Sequence, residues 1–531
     1  STSARGPSLH GALKPNLAAP GSGIVSVAMG SGTGGRNLSG TSMSSPHVAG
    51  AAAVLAQRSR AQGLDLDARG LGALLVSTAA RGVRAADGSG GEAGISLAGA
   101  GRLDLLAAGN AFLLPRAGDF AELGFGLVEV TEPEVLLRRS IQVSNLAVEP
   151  LLVSLVGSWR DPAAAVGLAL LLPEEPILVP ARGRVTVDLG LRLTAASLST
   201  GIAADESPWA AVMDRLEVDG QVELRAVDAG GRPRSEIPPA RLPVQVLPRR
   251  AAALRGEAVA GKDGPVLRFA AGAQPGRVEL YAVPELDGRA AQADPDEPGL
   301  ELAADLWQIG LRERPAAGTL DLVVAAREST LLAHTVMTTF WLDRDEDGRF
   351  DLRLRLGPLG LLGGTSIQGP ELGWGLAPWD PLTATAGSER VTALRGAPLG
   401  SGILSLSLPL SDLGLAEGQG FRLAVHRRGV TEDWYLRPDQ DWAPDGADVP
   451  GGPSYRFRPG GAALVPTAWQ PRLASGGGID VHLVPGGDPD APSGEWLAVY
   501  PDNAGQPVTS QLQRLRLAVN RAWLPLLVRP R

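Results

Sequence analysis

Beyond residue 115 no apolar pattern keeps one period for long. Polar and apolar residues alternate over a handful of positions, and a Pro, Gly or Asp then interrupts about every ten residues. A period of two places alternate side chains on opposite faces of a strand, so each run reads as a half-buried strand and the series reads as antiparallel β-sandwich modules. Ile141 to Ser144, Val185 to Leu189, Leu216 to Val218, Val266 to Phe269, Val278 to Val283, Leu320 to Val324 and Leu404 to Leu408 are such runs, and Leu515 to Val519 closes the series. Before residue 115 the chain is rich in Gly, Ala and Ser and carries two helical patterns, Thr41 to Arg58 and Ala68 to Ala80. The expected organisation is a helical first segment, 1–113, followed by β-sandwiches at 114–250, 251–432 and 433–531, with Arg437 to Pro453 as a loop.

Hydrophobic residues at 44% and charged residues at 20% fit folded globular material, and the length exceeds what one core supports. The longest apolar runs, such as Val166 to Leu172, are far too short to cross a bilayer as a helix. A formal charge of −8 with scattered acids offers no basic footprint for nucleic acid. Cysteine is absent, which excludes disulfides, thiolate metal sites and a cysteine nucleophile. Of the 49 basic residues only Lys14 and Lys262 are lysines, which together with the Ala, Gly and Pro load points to a GC-rich bacterial gene. Most tryptophans fall late in the chain and are expected as core anchors of sandwiches, with a carbohydrate platform as the other reading.

The segment Gly40-Thr41-Ser42-Met43-Ser44-Ser45-Pro46-His47-Val48-Ala49-Gly50 reads as a Gly-lined loop turning into a helix, with Ser42 at the helix start and Pro46 in the first turn. A hydroxyl there lies beside unpaired helix-end amides, which can stabilise an oxyanion formed when it attacks a carbonyl. The other reading is an N-capped buried helix. Capping alone explains neither the Met-Ser-Ser-Pro-His run nor its flanks. The eleven residues resemble, almost position for position, the serine-centred signature of the subtilisin family. Upstream, Ser3 to Pro7 and Leu13 to Gly21 look like the family's strand and loop leading to the nucleophile, and Gly99 to Asp104 resembles the turn that ends its catalytic domain.

That resemblance implies a nucleophile at Ser42, whose backbone N–H joins the oxyanion hole, with Gly40, Thr41 and Met43 supporting the loop. It implies a partial α/β domain contributing a parallel strand, the nucleophile helix and terminal helices, then a fibronectin-type-III-like first sandwich. It implies a polypeptide substrate and a secreted or cell-surface bacterial endopeptidase without an organic cofactor. The family's Asp and His precede its Ser, yet the 41 residues before Ser42 hold no Asp or Glu. The chain starts at Ser1 with no signal pattern, so the catalytic Asp, His and oxyanion Asn are expected in a missing upstream part of the domain, and residues 1–113 are expected to expose apolar faces. His47 lies about 140° around a helix from Ser42 and reads as structural. His10 is expected in a surface or packing role, and His334, His426 and His482 as ordinary residues of the β modules. The reading from another class is a pseudoprotease whose β modules serve adhesion or scaffolding.

Asp343-Arg344-Asp345-Glu346-Asp347-Gly348-Arg349-Phe350-Asp351 sets carboxylates at alternate positions before a Gly, as loops for hard cations do. The twelfth position, Leu354, breaks the EF-hand pattern. Strands flank it, Thr335 to Leu342 before and Leu352 to Leu356 after, which makes it a hairpin loop. Two readings stand: a Ca²⁺ site built from Asp343, Asp345, Asp347 and Asp351, or a solvated Asp-Gly turn. Close carboxylates repel without a counter-ion, which favours calcium, while Arg344 and Arg349 supply part of the compensation.

Overall fold

The structure is a computed structural model and describes residues 3–8, 12–64, 66–85, 90–118, 120–198, 213, 216–261, 264–283, 285–287, 306–330, 336–358, 362, 372–380, 385–393, 401–430, 436–443, 454–459, 464–468, 470–485, 495–501, 503 and 512–516. Strands in several sheets dominate and helices are few. The chain divides into two compact units, Ser1–Leu198 with Asp214–Arg249, and Arg250–Arg531 with Ser199–Met213.

In the first unit a short hairpin of β1 (Ile24–Val27) and β2 (Gly35–Leu38) leads into helix α1 (Thr41–Ala61), and α2 (Ala68–Ser77), α3 (Ile95–Ala98) and α4 (Leu105–Gly109) come after it. Helices α2 and α4 start on aspartates that accept backbone amides three residues on, Gly70 N at 2.7 Å from Asp67 and Ala107 N at 2.9 Å from Asp104. The strands are β3 (Leu113–Arg116), β4 (Leu123–Val130), β5 (Glu134–Asn145), β6 (Leu151–Trp159), β7 (Leu168–Leu171), β8 (Ile177–Val179), β9 (Arg184–Thr194), β10 (Val218–Val227) and β11 (Ala240–Arg250). They form two sheets, ordered β3-β5-β9-β7 and β4-β11-β10-β6-β8. Alternation fixes the inner face: Ile141 pairs with Val187 and Val143 with Val185 across β5 and β9, and Ile141, Val143 and Val187 are buried.

One core joins helices to sheets. Ala51 and Leu55 of α1 and Leu74 and Val76 of α2 belong to the same buried cluster as Ile141, Val153, Leu189, Val222 and Val244. At about 25 cal/mol per Å² of apolar surface removed from water, this shared interior is the main force binding the helical segment to the strands.

The structure corrects several expectations. Among the described residues of 1–113 there is no parallel strand pair: β1 and β2 are antiparallel, and the parallel contact is a lone bridge between Ala18 and Arg102. The tight loop between Val27 and Gly35 returns the chain at once, which only antiparallel strands permit. Helix α2 ends at Ser77 rather than Ala80, because Ala80 exchanges two 2.7 Å hydrogen bonds with Arg102 instead. Leu216 is helical and Glu217 irregular, and the strand starts at Val218.

In the second unit a six-stranded sheet runs in the order Ser401–Pro409, Thr319–Thr330, Leu306–Arg314, Glu279–Ala282, Glu495–Val499, Leu512–Arg516. It shares a core with a nine-stranded sheet through Leu311, Leu322 and Leu406 on one side and Phe340, Leu354 and Phe421 on the other. A four-stranded sheet pairs Gly264–Ala270 with Gly478–Pro485. Strands from 433–531 therefore complete sheets begun before residue 285, a long-range pairing that local periodicity cannot reveal. The expected loop from Arg437 begins instead as the strand Leu436–Ala443 beside Phe421–Val430, and 444–453 lie outside the described residues. Pro438 is tolerated because it falls at a register shift, between the pairs Arg428 with Gln440 and Val430 with Leu436. Leu517, Ala518 and Val519, expected in the last strand, also lie outside the described residues.

Candidate active site

Helix α1 begins without a side-chain cap and without an acidic residue in its first turn. Gly40 precedes it at φ 151° and ψ 172°, a conformation that favours glycine. The loop is hung on residues 19–21: the Gly40 amide donates to Gly21 O at 2.7 Å, and Ser44 Oγ donates to Ala19 O at 3.0 Å. A Cβ on Gly21 would lie 2.2 Å from Ser44 Oγ, so glycine permits this approach. Thr41 and Ser42 are exposed and Met43 half-buried, which presents the Ser42 hydroxyl at an open helix end.

Pro46 is the sixth residue of α1, a turn further in than expected. It offers no N–H to the Ser42 carbonyl four residues back. His47 is exposed, and its Nδ1–H donates to the Met43 carbonyl at 2.8 Å, so the ring is held along the helix. His10 and His334 lie outside the described residues, and His426 and His482 sit on strands of the second unit.

Apolar side chains around this loop face outward. Val25, Val27, Met29, Leu38 and Val54 are all exposed, Met29 fully so at 101%. Both faces of the β1–β2 hairpin are open except at Ile24.

In the second unit the sequence-predicted hairpin is present, Val336–Asp343 and Leu352–Pro358 pairing Leu342 with Leu352. It brings together Asp343, Asp345 and Asp347, whose carboxylate oxygens lie within 4.8 Å of one another and could hold a metal ion. Backbone amides converge on them: Gly348 N donates to Asp343 at 2.9 Å and Arg349 N to Asp347 at 2.8 Å. Burial, the largest cause, raises the Asp343 carboxyl above its ordinary range, with Asp345 and Asp347 adding to it. Asp351 is engaged elsewhere, by Arg344 Nε at 3.0 Å. Glu346, in the left-handed region at φ 58°, pairs with Arg456.

Sequence reasoning missed two acids. Glu217, in a run read as a plain strand, and Asp219, just beyond that run, are buried against α3. Acids two apart at the start of an otherwise inward-facing strand were the available signal, since a buried carboxylate needs partners.

Ser42 is thus the second residue of α1, exposed at an uncapped helix start that is reached through a loop Gly21 and Gly40 permit. Residues 1–101 match the model of the subtilase family, peptidase S8. Pyrolysin of Pyrococcus furiosus is 46% identical over 63 residues, which make up 12% of this chain and 4% of pyrolysin. The match thus spans a small fraction of that relative. Solved structures with partial likeness include the YadV chaperone, at 11% identity, TM-score 0.16, and coverage of 53% of this chain and 100% of that one. A carbohydrate-binding protein of Bacteroides ovatus, so described provisionally, is 9% identical at TM-score 0.16, covering 69% of this chain and 97% of its own. At these scores neither likeness bears on fold or function.

Proposed function

We propose that residues 1–113 are the C-terminal part of a subtilisin-like catalytic domain and that the protease they belong to is a secreted or cell-surface serine endopeptidase. The observation that carries this reading is the family match over 1–101 together with Ser42 exposed at the uncapped start of α1. Ser42 Oγ attacks the scissile carbonyl carbon, and its proton passes to a histidine from an upstream segment oriented by that segment's aspartate. The tetrahedral oxyanion is stabilised by the Ser42 N–H, the positive end of α1 and the family's asparagine. Collapse expels the amine, which takes the proton, and leaves an acyl-enzyme that water then hydrolyses. The open apolar surface at Val25, Val27, Met29 and Val54 supports a covering upstream segment. Residues 114–250 act as a fibronectin-type-III-like brace, which the core shared with α1 and α2 supports.

The test is a fluorophosphonate probe. The 531-residue chain alone is expected to label slowly, and the chain extended by an upstream subtilase segment with Asp, His and Asn to label at Ser42. Ser42→Ala in the extended protein should abolish labelling and lower turnover by several orders of magnitude. Equal cleavage by that variant would instead favour the adhesion or scaffold reading.

A second reading concerns Asp343, Asp345 and Asp347, proposed as a Ca²⁺ site. Three convergent carboxylates, one of them buried, favour it over a plain turn.

A further inference from the structure

Glu217 and Asp219 are 5% and 3% exposed, and each meets the amino end of α3. Glu217 accepts the Ser96 amide at 2.8 Å, the Ser96 hydroxyl at 2.6 Å and Gln245 Nε2 at 2.5 Å. Arg5 Nη2 stands 3.4 Å from it, and Arg5 Nε donates to Ser96 Oγ at 3.0 Å. Asp219 accepts the Ile95 amide at 2.9 Å and Arg160 Nε at 2.8 Å. Two acids next to each other in a buried place are costly, and each exceeds what capping a four-residue helix requires.

The turn after α3 explains their presence. Gly99 closes the helix at φ 62°, and residues 100–103 then run against 16–18: Ala100 N donates to Asn16 O at 2.9 Å, Ala18 N to Gly101 O at 2.8 Å and Leu103 N to Ala18 O at 2.7 Å. The fit has no slack. A Cβ on Gly99 would lie 2.4 Å from the Asn16 carbonyl, and one on Gly101 2.3 Å from Ala80 O. Residues 19 and 21 in turn receive the Ser44 hydroxyl and the Gly40 amide, which hold the loop of Ser42.

We propose that Glu217 and Asp219 are positioning residues for Ser42: two carboxylates of the β-sandwich fix the 95–103 turn, which fixes the 16–21 segment from which the nucleophile loop hangs. The functional meaning rests on Ser42 being the nucleophile; the mechanical coupling does not. The sandwich thereby sets the serine in place through three hydrogen-bonded links, Ser96 to Glu217, Ala100 to Asn16 and Ser44 to Ala19, as a discrete and tightly packed relay.

Hydrogen exchange on the 531-residue chain tests it. Glu217→Ala is expected to speed exchange at Ala100, Leu103, Ala18 and Gly40 by about tenfold or more while β5 and β9 stay protected. Ser96→Ala, a milder change, should act at the same amides in the same direction. Glu217→Gln, which keeps an oxygen for the Ser96 amide, should restore most of the protection. Val222→Ala, in the sandwich core, is the control, compared at matched global stability. The proposal is overturned if the effect of Glu217→Ala and Ser96→Ala stops at 94–98, or if Val222→Ala reproduces the same pattern. If Glu217→Ala does not fold, Ser96→Ala and Glu217→Gln decide alone. Failure of the nucleophile assignment would appear in probe labelling and leave these exchange rates as they are.

Discussion

Two hairpins of this protein have the same backbone pairing and opposite surroundings. In the hairpin of Val336–Asp343 and Leu352–Pro358, Phe340, Leu342, Leu354 and Leu356 are buried against a second sheet. In the β1–β2 hairpin Val25 and Val27 point to solvent, and no described residue of either strand is buried. An isolated two-stranded hairpin is marginal in water. The first hairpin is therefore held by its face, and β1–β2 by its base, where Gly23 N meets Ser39 Oγ at 2.9 Å and Gly40 N meets Gly21 O. That strand pair leads directly into α1, so its root also anchors the loop of the candidate nucleophile.

The comparison can be broken by mutation. Leu354→Ala should cost about 3 kcal/mol in denaturant unfolding of the second unit, the loss of a fully buried leucine. A cost under about 1 kcal/mol would mean that hairpin is not held by its face. Gly21→Ala should cost about 2 kcal/mol through the clash with Ser44 Oγ and Gly40 O, with faster exchange at the Gly40 amide. Unchanged exchange there would separate β1–β2 from its proposed anchor.

The acidic loop sharpens the contrast further. Ca²⁺ should raise the melting temperature of the wild-type chain by a few degrees and leave Asp343→Asn/Asp345→Asn unmoved. An equal shift in both would return the loop to a plain turn. Without metal, the raised Asp343 carboxyl contributes stability that is present below its ordinary pKa and lost as pH rises through the folded-state value. Stability of Asp343→Asn relative to wild type should thus climb with pH across that window, as denaturant melts at several pH values would show. The smallest effect belongs to Val27→Ser, expected within about 0.5 kcal/mol because that residue is already 74% exposed.

The legible features were local. Helix α1, the strands at Ile141, Val185 and Val266, and the hairpin around Asp343 follow from periodicity and turn chemistry over a few residues. The start of α1 at Thr41 was equally readable, from a Gly-lined loop turning into a helix, and Gly40 takes φ 151° there. Illegible were pairings between distant segments, such as Val266 with His482, whose partners carry no mark of each other in one sequence. Pro438 misled because a proline counts against a strand unless a register shift receives it, and that shift is a property of two strands. Glu217 and Asp219 were passed over because an acid on a strand ordinarily faces water, and only α3 explains why these do not.

The change of sequence pattern near residue 113 is no seam in the packing. Leu113 and Leu114 lie in the same interior as Leu55, Leu74 and Val143. A cut placed between 113 and 114 would strip one wall from each of two rooms that share it, leaving both halves with raw apolar surface of the kind that aggregates. Recombination could carry the helices to a new host only with their strands attached. Residues 1–198 and 214–249 form one compact unit and are expected to unfold as one piece, however sharply the text of the sequence divides them.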